Sequence, residues 1–144
     1  ALAKVARALG DAGVSIDLNG FALIGPGAEV GGDAAGIRSF SASAPLVVQG
    51  GRITGWPSYG LYANGPAQVT DLVVTDCGNA GLALLGGPFP GSGAASVQLS
   101  QVTRCVVTNT REFGIQAIKG LVRDCVVTQI RPRSGFSIAI GISA

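Results

Sequence analysis

Short runs of alternating apolar and polar residues recur along the chain, and one of them is written twice. Val102-Thr103-Arg104-Cys105-Val106-Val107-Thr108 is followed twenty residues on by Val122-Arg123-Asp124-Cys125-Val126-Val127-Thr128. Each copy runs through a polar loop to a glycine and a short apolar strand, Gly114-Ile115-Gln116-Ala117 in the first and Gly135-Phe136-Ser137-Ile138 in the second. Earlier copies lie at Val69-Thr70-Asp71-Leu72-Val73-Val74-Thr75, leading to Gly81-Leu82-Ala83-Leu84, and at Val48-Gln49-Gly50-Gly51-Arg52-Ile53-Thr54, leading to Gly60-Leu61-Tyr62-Ala63. A looser one is Ile16-Asp17-Leu18-Asn19-Gly20-Phe21-Ala22, leading to Gly36-Ile37-Arg38-Ser39. The starts Ile16, Val48, Val69, Val102 and Val122 are spaced 32, 21, 33 and 20 apart, a period of about twenty with two insertions. Self-similarity at such a period marks a stacked-repeat architecture.

A helical repeat would need apolar residues at i, i+3, i+4 and i+7 among good helix formers, whereas these segments offer Val, Ile, Thr and Gly in alternation. The pattern predicts an all-β chain of short strands joined by bends. Parallel strands about 4.8 Å apart place equivalent residues above one another, so each column of the repeat predicts a physical stack. One column reads Asn19, Gly51, Leu72, Cys105, Cys125, and the next inward one Phe21, Ile53, Val74, Val107, Val127. Glycines 36, 60, 81, 114 and 135 are expected at a bend where a side chain is crowded or φ is positive.

On these residues the chain resembles the right-handed parallel β-helix of the pectate-lyase-like superfamily. Val14-Ser15-Ile16-Asp17-Leu18-Asn19-Gly20-Phe21 is similar to the V-T-I-D-L-N-G-F phrase that opens many bacterial β-helices. The resemblance covers residues 14–142 and implies a solenoid of about five coils over residues 14–144. It leaves function open, because that superfamily holds lyases, hydrolases, esterases, tailspikes and non-catalytic surface proteins. An extracellular or cell-surface setting is part of what it implies.

Residues 1–13 differ. Leu2, Val5, Ala6 and Leu9 share one helical face before Gly10, which predicts a short helix capping the N-terminal end of the coil, or else the tail of a preceding segment. The apolar run Ser137-Ile138-Ala139-Ile140-Gly141-Ile142 has no polar cap, so either a second subunit covers it or the natural chain continues. The insertions, residues 25–35 and 85–97, are rich in Gly, Pro, Ala and Ser and read as loops. The first carries only Glu29 and Asp33 as charges and the second Phe89 between two prolines, and both suit a structural or interface role, with substrate contact as the alternative.

With 144 residues the chain makes one domain. Three cysteines argue against a disulfide framework, and Cys105 and Cys125 are expected as free thiols filling a column. Without histidine and without a Cys-x-x-Cys spacing, neither a metal site nor a cofactor is expected. No segment is long and apolar enough to span a bilayer, and neither a membrane nor nucleic acid is an expected partner.

Charge changes the picture more. Residues 1–100 carry four basic and six acidic groups, residues 101–144 six basic and two acidic, so the C-terminal part favours an anionic partner such as an acidic polysaccharide. Asp71, Arg104 and Asp124 share a column and read as a surface ion ladder. The candidate site is the loop before each glycine: Trp56-Pro57-Ser58-Tyr59, Cys77-Gly78-Asn79-Ala80, Thr110-Arg111-Glu112-Phe113 and Ile130-Arg131-Pro132-Arg133-Ser134. Stacked, these form a strip roughly 14 Å long, with ligand-binding candidates Trp56, Tyr59, Asn79, Arg111, Glu112, Arg131 and Arg133. Sugar rings pack on aromatic faces and guanidinium pairs bidentately with carboxylate. The alternative puts Trp56 partly in the core and leaves the arginines solvated.

Glycoside hydrolysis needs two carboxylates across one cleft, and the columns put no two acids together on this strip. The resemblance keeps a polysaccharide lyase open, with Arg131 or Arg133 as base near Glu112, although the calcium-holding acids of that family are missing. The reading is a non-catalytic structural or glycan-binding module. Outward Val73, Val106 and Val126, beside the threonine column Thr54, Thr75, Thr108, Thr128, suggest a homo-oligomer such as a side-by-side trimer.

Overall fold

The alternating segments become strands whose partners are distant in sequence. The computed structural model describes residues 13–40, 45–86, 99–118, 120–132 and 140–143. Among them every ladder is parallel, so each pairing needs a long connection instead of a hairpin. Val14–Asp17 (β1) and Ala22–Ile24 (β2) lie along Leu46–Thr54 (β4), which pairs with Ala67–Cys77 (β6). Strand β6 carries Ser100–Thr103 (β8) and Val106–Thr110 (β9), and these carry Gly120–Arg123 (β11) and Val126–Thr128 (β12). Ile16 faces Val48, Val48 faces Val69, Val69 faces Val102 and Val102 faces Val122. The sequence period is thus the lateral strand register. A second sheet holds Ala35–Ser39 (β3), Tyr59–Ala63 (β5), Ala80–Leu84 (β7), Phe113–Ala117 (β10) and Ile140–Ser143 (β13), in the order β13-β10-β7-β5-β3. Among the described residues the chain is all-β apart from one 3-10 turn, Ala28–Val30, and no helix is long and apolar enough to cross a membrane.

Two rows of left-handed residues turn the chain. Gly50, Asp71, Arg104 and Asp124 (φ 70, 54, 51 and 52°) form one, and Gly55, Asp76, Asn109 and Gln129 (φ 72, 55, 55 and 55°) the other. Glycine, Asp and Asn adopt this region most readily. Arg104 turns its position to use: Nε and Nη2 each donate to Asp71 at 2.8 Å. The hydrogen-bonded guanidinium holds the Asp71 carboxyl below its usual range.

Between the sheets, Val48, Val69 and Val102, Ile53, Val74 and Val107, and Leu61, Leu82 and Ile115 are fully buried. The expected columns hold from the second copy onward and slip in the first. Leu23, not Phe21, faces Ile53. Leu18, not Asn19, overlies Gly51, where an added Cβ would lie 2.4 Å from the Leu18 Cβ. Phe21 is 72% exposed. The offset from β1 to β4 is 32 and from β2 to β4 is 30, so the turn at residues 18–21 holds two extra residues.

The glycine row is likewise not a bend. Gly36, Gly60, Gly81 and Gly114 lie inside strands of the second sheet without positive φ, and crowding alone requires them. The row ends at Gly141, whose oxygen lies 2.6 Å from a Cβ built on Gly114, and not at Gly135. Gly135 and the strand expected at 135–138 lie outside the described residues, as do residues 1–12 of the expected capping helix and 87–97 of the second insertion.

Cys77 and Cys105 are buried and Cys125 partly so, all as free thiols. Burial pushes the Cys77 and Cys105 thiols up to about 11. Since the thiolate is the reactive form, a thiol reagent at pH 8 is expected to label Cys125 first and the other two only on unfolding. Three equally fast thiols in the native state would contradict this packing.

Candidate functional site

The predicted loops do stack. Gly78 N–H donates to Trp56 O at 2.9 Å and Asn79 N–H to Ser58 O at 2.8 Å. Lower in the stack, Arg111 and Arg131 form an isolated parallel bridge, with Glu112 N–H donating to Arg131 O and Arg131 N–H to Thr110 O, both at 2.9 Å. Glu112 sits in the left-handed region at φ 60°, which turns the chain into β10.

The side chains separate into three environments. Trp56 turns inward: Nε1 donates to Leu23 O at 3.3 Å, and the ring packs against the buried core. It fits because Gly25 and Gly36 are bare there; a Cβ on either would come within 2.9 Å of the indole. Tyr59 and Asn79 belong to a second group. Asn79 Nδ2 donates to the Tyr59 hydroxyl at 3.2 Å, and the Tyr59 and Tyr62 rings lie 5.1 Å apart. Burial, chiefly, raises the Tyr59 pKa. Arg38 lies 5.6 Å over the Tyr62 ring and 5.7 Å over Phe40, anchored to Asp33 through Nη2 to Oδ1 at 2.9 Å. The Arg38 hydrogen bond in turn lowers the Asp33 pKa.

The third environment is a pocket of about 250 Å³. Glu29, Asp76, Asn109, Arg111 and Arg131 frame it, over the buried Cys77 and Thr110. Arg111 Nη2 meets Glu29 Oε1 at 2.5 Å. Arg131 Nη2 donates to Asn109 Oδ1, and Asn109 Nδ2 donates to Asp76 Oδ1. One guanidinium is therefore faced by a carboxylate and the other by a neutral amide oriented by Asp76. Of the residues expected from the strip, Arg111 and Arg131 share this pocket. Arg133 lies outside the described residues.

Sequence reasoning kept the acids apart, and the pocket brings Glu29 and Asp76 to one place. Asp76 is legible in the repeat, since it follows Thr75 as Asn109 follows Thr108. Glu29 is not, because its insertion has no period to align. Among the described residues no three His, Cys, Asp or Glu side chains converge as metal ligands. On the adjacent face the threonine row is bonded in two pairs, Thr54 with Thr75 at 2.8 Å and Thr128 to Thr108 at 3.0 Å. Val106 and Val126 beside it are 38% and 53% exposed. No protein-family model matches the chain, and no curated protein or solved structure is significantly similar to it.

Proposed function

We propose that the chain winds as a right-handed parallel β-helix of about five coils, as the resemblance to pectate-lyase-like proteins implies, and serves as a non-catalytic module holding acidic polysaccharide at the Arg111–Arg131 rung. The winding is supported by parallel pairing throughout the described residues, with partners about twenty or thirty residues apart. The observation that carries the binding reading is the parallel bridge between Arg111 and Arg131 beside an open pocket. Adjacent parallel rows are about 4.8 Å apart, so two arginines on neighbouring rows suit a chain carrying repeated carboxylates, each of which pairs with a guanidinium's fork of donors. Glu112 turns the chain from Arg111 into β10, and the exposed Val106 and Val126 row supplies a face for contact between copies, three chains side by side. An extracellular or cell-surface setting belongs to the same reading.

Replacing both arginines, Arg111→Ala with Arg131→Ala, is expected to weaken binding of oligogalacturonate at least tenfold by calorimetry. Unchanged affinity ends this reading. Release of unsaturated uronates during the incubation would move the assignment to a lyase with Arg131 or Arg133 as base.

A further inference from the structure

The proposed ligand is a chain of carboxylates, and the pocket already contains a carboxylate on one of its arginines. Resting on the binding reading above, we propose that Glu29 is an internal stand-in for the ligand's acid group, which an incoming uronate must displace from Arg111. Glu29 reaches Arg111 across 82 residues of sequence at 2.5 Å. Its backbone does not depend on that contact. Gly25 N–H donates to Thr54 O at 2.8 Å and Gly27 N–H to Gly55 O at 2.7 Å, which seats the Ala28–Val30 turn beside the pocket. The Glu29 side chain itself is 80% exposed and that of Arg111 is 40% exposed, so the pair stands at the water's edge. A competing carboxylate reaches the guanidinium by swinging one flexible side chain aside.

The two arginines then differ in readiness. Arg131 is held by the neutral Asn109 amide and keeps its charge uncompensated by that partner, so it takes the first carboxylate of the ligand. Arg111 takes the second only as Glu29 leaves. An uncharged sugar offers nothing to replace Glu29 and leaves it in place, so the contact lowers the affinity for acidic chains alone and moderates the pocket's preference for them.

The test compares wild type, Glu29→Gln and Glu29→Ala by calorimetry with oligogalacturonate and with its fully methyl-esterified, uncharged form, alongside melting curves. Exposed ion pairs contribute little, so both variants are expected to bind the acid form about two- to five-fold more tightly, with unchanged binding of the ester and unchanged melting. Acid binding by the variants alone supports the inference more strongly still. If wild type binds and the variants bind equally or more weakly, Glu29 is only a strut for its loop and the inference fails while the binding reading stands. If none of the three binds the acid form, both fall together.

Discussion

Adding one methyl group at Gly81 is expected to destabilise the protein by about 1–3 kcal/mol, the usual cost of overfilling a packed core. The Cβ of Gly81→Ala would lie 2.3 Å from Val107 Cγ1 and 2.9 Å from the oxygen of Gly114, so it is blocked by a side chain and by backbone. Replacing glycine with alanine elsewhere stabilises by about 0.4–1 kcal/mol through the unfolded chain. That gain applies here too, since φ at Gly81 is not positive, but a contact this short outweighs it. Val107→Ala removes the side-chain part of the clash. The double variant should be less destabilised than the sum of the singles, with a coupling of about 0.5–3 kcal/mol, and the rescue is incomplete because Gly114 O remains in place. Denaturant melts of the four proteins measure this. A Gly81→Ala midpoint equal to wild type would mean that the sheets do not approach as closely as described.

The same contact explains why the glycines were legible as a row and misread as a bend. Gly36, Gly60 and Gly81 each stand one row from the next, and an added Cβ would strike Ile53, Val74 and Val107 respectively. Periodicity reports that a position recurs; it does not separate a need for positive φ from a need for space. The residues that do turn the chain are mostly not glycine. Asp71, Asp76, Arg104, Asn109, Asp124 and Gln129 hold left-handed φ, and Arg and Gln carry no sequence signal for it. Column assignments succeeded wherever two successive copies had equal length, as with Val102 over Val122 and Thr108 over Thr128. They failed at Phe21 because the two extra residues at 18–21 fall inside a stretch that reads as one continuous strand.

For the candidate site, sequence brought the arginines to one rung but could not orient side chains. Trp56 follows a polar-looking loop pattern, yet the bare Gly25 and Gly36 open an internal seat for its ring. Arg38 and Tyr62, which gather near Tyr59 with Phe40 just past β3, lie on the second sheet, where outward and inward positions do not alternate: Gly60 and Leu61 are both buried between half-buried Tyr59 and Tyr62. A strict period-two reading fails on such a strand.

Truncating Leu82 to alanine should cost about 2–5 kcal/mol, whereas Ile142→Ala should cost less than about 1 kcal/mol, near the range of surface substitutions. Both residues occupy the same column, with Leu61 and Ile115 on either side of Leu82 and Ile142 following Ile115. Leu82 is fully buried between two rows, while Ile142 is 46% exposed. Within the second sheet β7 pairs with a strand on each side, whereas β13 pairs only with β10 among the described residues, so a cavity at Leu82 weakens two strand contacts and a truncation at Ile142 weakens one. Denaturant unfolding of the two variants separates these cases. Equal losses would mean that Ile142 is buried against something beyond the described rows.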